Sequence, residues 1–165
     1  MTRAHRHPKP PFPAQHLERP GLESELRPPP RYRAPSYRGA EKLARQVALV
    51  TGGDSGMGRA VAVQFAREGA DVAIVYLPEE QSDAETTRAA IADEGRRALL
   101  IAGDVTSPAF CRQAGAETVG QLGRLDVLVN NAAFQKHVGE IDDLGDERSS
   151  TSRPAPTRAT GPARC

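Results

Sequence analysis

Cysteine is scarce in this 165-residue chain, which holds only Cys111 and Cys165. Two thiols cannot build a disulfide framework, and neither stands at ligand spacing from another thiol, so no structural metal is expected. Cys111 falls in a helical pattern and is expected to pack as a half-buried small hydrophobe. Long apolar runs are also missing. None approaches the roughly 18 residues of a membrane-spanning helix. The first residues carry charge without an apolar h-region, so no secretory signal is expected, and a reducing cytoplasm is the expected setting. An excess of one charge is absent too, because the formal net charge is +1. The charges are nevertheless unevenly spread. Residues 1–40 hold eight Lys and Arg against three acids, residues 41–147 hold ten against eighteen, and residues 148–165 hold four Arg and no acid.

Large aliphatic residues are nearly absent from the first 40 positions, which hold nine of the fourteen prolines. Such a stretch buries too little apolar surface to offset its ordering entropy. Residues 1–42 are therefore expected to form an extended arm of polyproline-II character, solvated or laid as a strap over a neighbouring subunit. Arg27, Arg31, Arg33 and Arg38 interleave with Tyr32 and Tyr37. A nucleic-acid stripe can look like this, but the pattern is weak and no nucleic-acid partner is expected. His5, His7 and His16 lack acidic or Cys companions at ligand spacing and read as solvated side chains.

The chemistry is concentrated at Val47-Ala48-Leu49-Val50-Thr51-Gly52-Gly53-Asp54-Ser55-Gly56-Met57-Gly58. A short apolar run ends in a Gly-rich turn, and a helical pattern follows until Gly69. Gly52, Gly56 and Gly58 let the chain adopt positive φ and approach a ligand closely. The helix that begins near Gly56 offers free N–H groups and a partial positive charge, a site suited to a pyrophosphate. The Thr51 and Ser55 hydroxyls can tie the turn or touch phosphate. Gly53 and Gly58 have the spacing of a Walker A loop, but Arg59-Ala60 follows. No Lys reaches a phosphate and no hydroxyl holds Mg²⁺, which argues against kinase or ATPase chemistry.

Strand and helix signals then alternate. Asp71–Tyr76 is a continuous apolar run suited to a parallel strand buried on both faces. Pro78 predicts the start of a helix that runs to about Glu94 and stops at Gly95. Ala98–Ala102 reads as a third strand, closed by Asp104-Val105. Ser107-Pro108 predicts a second N-cap with proline at the first helical position, and Gly123 an end. Leu125–Asn130 is the fourth strand. The alternation implies βαβ units and a parallel, doubly wound α/β sheet of about four strands, with ends expected to be disordered. Ligands of such sheets lie at the strands' C-terminal ends. Polar residues gather there: Asp54 and Ser55 after the first strand, Asp104 after the third, Asn130 and Asn131 after the fourth.

Thr51-Gly-x-x-x-Gly56-x-Gly58 resembles the cofactor loop of the short-chain dehydrogenase/reductase family. The resemblance extends over about residues 20–144. Pro20-Gly21-Leu22-Glu23 and the Pro-rich stretch to Gly39 are similar to the N-terminal extension of its glucose/ribitol dehydrogenase-like subgroup. The resemblance implies a Rossmann-like half-domain at residues 43–144 that binds NAD or NADP through Thr51, Gly52, Asp54, Ser55, Gly56, Met57, Gly58, Tyr76, Asp104, Val105, Asn131 and Ala132. It also implies that the Asp104 carboxylate and the following N–H hold the adenine, that Asn130-Asn131-Ala132-Ala133 lines the adenosine side, and that members are usually homo-oligomers. The choice of dinucleotide stays open. Tyr76-Leu77 at the end of strand two carries neither the acid that suits a ribose 2′-OH nor the Arg that suits a 2′-phosphate, and Glu79 and Glu80 read as helix-start residues. An Asp54 facing that position would disfavour a 2′-phosphate.

The family's catalytic Ser and Tyr-x-x-x-Lys pair are not found. Tyr32, Tyr37 and Tyr76 are followed four positions later by Ser36, Glu41 and Glu80. From Arg148 onward only Arg, Ser, Thr, Pro, Ala, Gly and Cys occur. The expectation is a disordered tail at 145–165, produced by a shifted reading frame or mis-set gene end after about Leu144, with a natural short paralogue as the alternative. The parent would be an oxidoreductase acting on alcohol or carbonyl groups of small polyols or sugars. This chain would hold cofactor without turnover, with an unpaired fourth strand, marginal stability and weak affinity. The alternative is a non-catalytic dinucleotide-binding fragment.

Overall fold

The computed structural model describes residues 9–17 and 21–133. The expectations for residues 134–165, including the loop through Leu144 and the tail, lie outside the described residues. Four strands, β1 (Val47–Thr51), β2 (Asp71–Tyr76), β3 (Ala98–Ala102) and β4 (Val127–Val129), alternate with three helices, α1 (Gly56–Arg67), α2 (Gln81–Asp93) and α3 (Pro108–Leu122). The sheet is wholly parallel, with order β3-β2-β1-β4. The chain moves outward from β1 to β2 to β3, then crosses back to place β4 on the other side of β1. Strand order therefore reverses at β1, and a crevice opens where β1 and β4 end.

The period-two geometry of a strand explains the two cores. Val72, Ile74 and Tyr76 of β2 face one side, where they meet Val50, Ala62, Ala66, Ala84 and Ile91 beneath α1 and α2. Ala73 and Val75 face the other side with Leu49, Ile101, Ala114 and Leu122 beneath α3. Helix ends follow the predicted signals. The Ser107 hydroxyl accepts a hydrogen bond from the Phe110 N–H at 3.3 Å. Gly69, Gly95 and Gly123 turn the chain at φ of 96°, 74° and 96°.

Four expectations need correction. The helix predicted at Pro78 begins as a 3₁₀ turn over Pro78–Glu80, and α2 proper starts at Gln81. The fourth strand is shorter than Leu125–Asn130, because β4 pairs with β1 only opposite Ala48, Leu49 and Val50. Cys111 is exposed, and its thiol donates to the Val105 carbonyl at 3.2 Å. Phe110 takes the inward place in that first turn, packed over Gly103, where a Cβ would fall 2.2 Å from the ring. Finally, residues 21–43 are largely without regular structure apart from a 3₁₀ turn at Glu23–Glu25, and they lie against their own domain. The Glu68 carboxylate accepts from the Tyr37 hydroxyl and from the Ala40 and Lys42 N–H groups at 2.9 and 3.1 Å. The Arg67 guanidinium donates to the Ala34 carbonyl at 2.9 Å, Arg33 pairs with Asp93 at 3.0 Å, and Leu43 packs on the α1/α2 core. Specific polar anchors supply what the arm's apolar content could not. Among the described residues no helix is long and apolar enough to cross a membrane.

Candidate dinucleotide site

The Gly-rich loop joins β1 to α1 at the strand-order reversal. Its first amides, Gly52 and Gly53, donate back to the Val75 carbonyl at 2.8 and 3.2 Å, which folds the loop over the end of β2. Three of its glycines are set by close approach, Gly53 with a Cβ position 2.6 Å from the Ile74 side chain. At Gly52 (φ 62°) a Cβ would meet Ala132 Cα and Asn131 Nδ2, each at 3.1 Å, and at Gly58 it would fall 1.9 Å from the Gly52 carbonyl oxygen. Gly56 has φ 51° and open space around it.

Thr51 and Asn131 stitch the ends of β1 and β4 together. The Thr51 hydroxyl accepts from the Asn131 and Ala132 N–H groups, both at 3.0 Å, and donates to the Val129 carbonyl at 3.3 Å. The Asn131 amide donates to the Thr51 and Gly52 carbonyls at 3.1 and 3.0 Å. Ala132 is held exposed beside the loop.

At the start of α1, Ser55 is the N-cap in extended conformation, and its side chain caps nothing. The Gly56 N–H is taken by the Glu23 carboxylate at 2.5 Å. The next two amides, of Met57 and Gly58, have no acceptor among the described residues. Met57 is 79% exposed and shields little. These free donors on a helix N-terminus, beside open space at Gly56, fit a phosphate group.

The other predicted residues divide. Asp104 is exposed after β3. Its carboxylate accepts the Thr106 N–H at 2.8 Å, and that bond holds its pKa below the usual carboxylate range. Val105 packs in part against the α3 core. The Tyr76 ring is buried in the α1/α2 core, and its hydroxyl donates to Gln81 at 2.6 Å, so only its backbone stands at the strand end. Asp54 is 2% exposed, and its Oδ2 has no hydrogen-bond partner among the described residues. Burial pushes its pKa up, against a hydrogen bond from Ser55.

Four residues that sequence reasoning left aside complete the site's floor. Arg59 lies buried, with Nε donating to the Asp54 carbonyl at 2.8 Å and to the Thr87 hydroxyl at 2.9 Å. Its guanidinium also pairs with Glu23 and, at 3.3 Å, with Asp83. The Glu23 N–H donates to Asp83 Oδ2 at 2.7 Å. Glu80 folds back so that its carboxylate accepts the Leu77 N–H at 3.1 Å, which puts an acid at the end of β2 after all. Desolvation raises the Glu80 pKa, helped by the charges of Asp54, Asp83 and Glu79 and opposed by the Leu77 bond. The position of Glu80, three residues after Leu77, is a capping-box spacing legible in the sequence. Glu23 carries no such signal. A cleft of about 900 Å³ lies between the arm and α1, and no residue of the 51–58 loop lines it.

Comparison with known proteins agrees with this architecture. The family model described as short chain dehydrogenase matches residues 46–152. General stress protein 39 of Bacillus subtilis is 52% identical over 138 residues, covering 83% of this chain and 48% of the relative. Glucose and ribitol dehydrogenase of Daucus carota is 41% identical over 143 residues, covering 83% and 49%. Among solved structures, a short chain dehydrogenase from Burkholderia cenocepacia J2315 in complex with NADP is similar, with TM-score 0.58 and 40% identity, over 65% of this chain and 43% of that one. The chain spans about half the length of the curated relatives it matches. A Thr-Gly-x-x-x-Gly-x-Gly loop at a strand-order reversal, stitched to an Asn at the neighbouring strand end and matched by the family model, places this chain in the short-chain dehydrogenase family.

Proposed function

We propose that residues 43–144 are the dinucleotide-binding half of an NAD- or NADP-dependent oxidoreductase acting at an alcohol or carbonyl of a small polyol or sugar. The observation that carries the reading is the pair of free amides, Met57 and Gly58, at the start of α1 beside the open space at Gly56. Those amides would hold the pyrophosphate. Asp104 and Val105 would hold the adenine. Gly52, Asn131 and Ala132 would line the adenosine side, and Thr51 would keep that wall in place. The bound cofactor supplies the hydride donor or acceptor. The substrate class is supported by similarity to glucose and ribitol dehydrogenase and by the Pro-rich extension.

A second reading has its own observation. No tyrosine of the 165 residues has a lysine four positions later, so the family's proton-transfer pair is missing from this chain. On that reading the chain binds dinucleotide without turnover. Calorimetric titration with NAD and NADP, followed by an absorbance assay for reduced nicotinamide with ribitol and glucose, separates the two. Binding with hydride transfer supports the enzyme. Binding without transfer supports the non-catalytic reading. No binding of either dinucleotide defeats both.

A further inference from the structure

The residues around the loop and the end of β2 have an uneven charge. Segments 51–59 and 76–83 contain one cation, Arg59, against Asp54, Glu79, Glu80 and Asp83. Arg59 follows the third glycine of the loop, where a free guanidinium could meet a phosphate. Here it is not free. It is 4% exposed, and each of its three nitrogens already has an acceptor: the Asp54 carbonyl and Thr87 on Nε, Glu23 on Nη1, and Asp83 on Nη2. Glu23 comes from the arm, 36 residues earlier, and its second oxygen caps the Gly56 N–H.

We infer that Glu23 is a positioning residue that sets dinucleotide preference: by binding Arg59 into the floor of the site, the arm withholds the one cation of these two segments, and the site favours a ribose 2′-hydroxyl over a 2′-phosphate. The inference rests on the dinucleotide-site reading above and deepens it. Charge decides the direction. A 2′-phosphate brings about two negative charges toward a strand end that already holds the Glu80 carboxylate, with Asp54 and Asp83 close enough to act on it. A neutral ribose hydroxyl meets no such repulsion and can donate to a carboxylate there.

The test is the ratio of affinities for NAD and NADP, measured by calorimetry on the full 165-residue chain and on two variants, Glu23→Gln and Glu80→Gln. The wild-type chain is expected to bind NAD at least about tenfold more tightly than NADP. Glu23→Gln keeps an oxygen for Gly56 but removes one of the two carboxylates that hold Arg59, leaving Asp83, and is expected to narrow the ratio at least about fivefold, chiefly by tightening NADP. Glu80→Gln, which leaves the arm in place, is expected to narrow it too. General loosening of the fold weakens both dinucleotides together and leaves the ratio unmoved. Equal or tighter binding of NADP by the wild-type chain overturns the inference, as does an unchanged ratio in a folded Glu23→Gln. Should Glu23→Gln fail to fold, the wild-type ratio and Glu80→Gln still decide. Binding of NAD and NADP with no preference overturns this inference alone, whereas binding of neither overturns the site reading with it.

Discussion

Strands β2 and β4 both flank β1, and both are runs of aliphatic residues, yet they live in different surroundings. All six residues of β2 are buried, and five of them pair with β1. None of the three residues of β4 is buried, and Leu128 is 56% exposed. An aliphatic strand is therefore not a core strand by composition. It becomes one when helices cover both its faces and strands pair on both its edges, as α1, α2, α3, β1 and β3 do for β2. The same contrast holds at the strand ends. Beyond the β2 end, Glu80 folds back onto the Leu77 N–H and buried ion pairs join α1 to α2, while among the described residues the β4 end is tied by Thr51 and Asn131.

The strongest way to break this comparison is to weaken both strands. Ile74→Ala, which opens a void at a fully buried position of β2, is expected to destabilise the domain by about 2–5 kcal/mol, read from denaturant unfolding. Leu128→Ser is expected to change stability by no more than about 0.5 kcal/mol while reducing self-association in light scattering. Equal losses from both would show that β4 is covered as fully as β2.

Next in size are two changes at the loop. Gly58→Ala forces a Cβ into the Gly52 carbonyl and is expected to abolish measurable dinucleotide binding in calorimetry, with a lower melting temperature. Asn131→Ala removes two hydrogen bonds to the Thr51 and Gly52 carbonyls, worth about 1–3 kcal/mol together. It should weaken dinucleotide binding while leaving the amide exchange of β2 unchanged.

The smallest effect concerns pH. The Tyr37 hydroxyl, then the Ala40 and Lys42 amides, lower the Glu68 pKa from 4.5 to about 2. A depressed carboxylate stabilises the folded state above its unfolded pKa, and that contribution fades as pH falls from 4.5 toward about 2. Hydrogen exchange at Ala40 and Lys42 should therefore accelerate over that window, and Glu68→Gln should remove the dependence.

The sheet was legible because each signal was local. Val47–Thr51, Asp71–Tyr76 and Ala98–Ala102 are apolar runs with glycine or proline punctuation close by, and the bounds of the second and third in the structure match those read from the residues. The Gly-rich loop was legible for the same reason, since its glycines, N-cap and helix adjoin one another. Long-range polar pairing was not. Nothing near Glu23 announces Arg59, and a Pro-rich segment with few aliphatics reads as solvated because composition counts apolar area and overlooks specific ion pairs. Asp54 and Tyr76 show the converse limit. Their positions at strand ends were read correctly, but the side-chain direction depends on packing that spacing does not encode.

The Glu23–Arg59–Asp83 knot also has a temporal meaning. Its three members come from the arm, α1 and α2, so the arm has nowhere to dock until β1, α1, β2 and α2 have assembled. Its closure is expected late on the folding route, after the rate-limiting barrier, which folding and unfolding rates of arm variants would check. Changes in the arm should then leave the folding rate alone and speed unfolding, so that the arm acts as a latch on the lifetime of the folded loop.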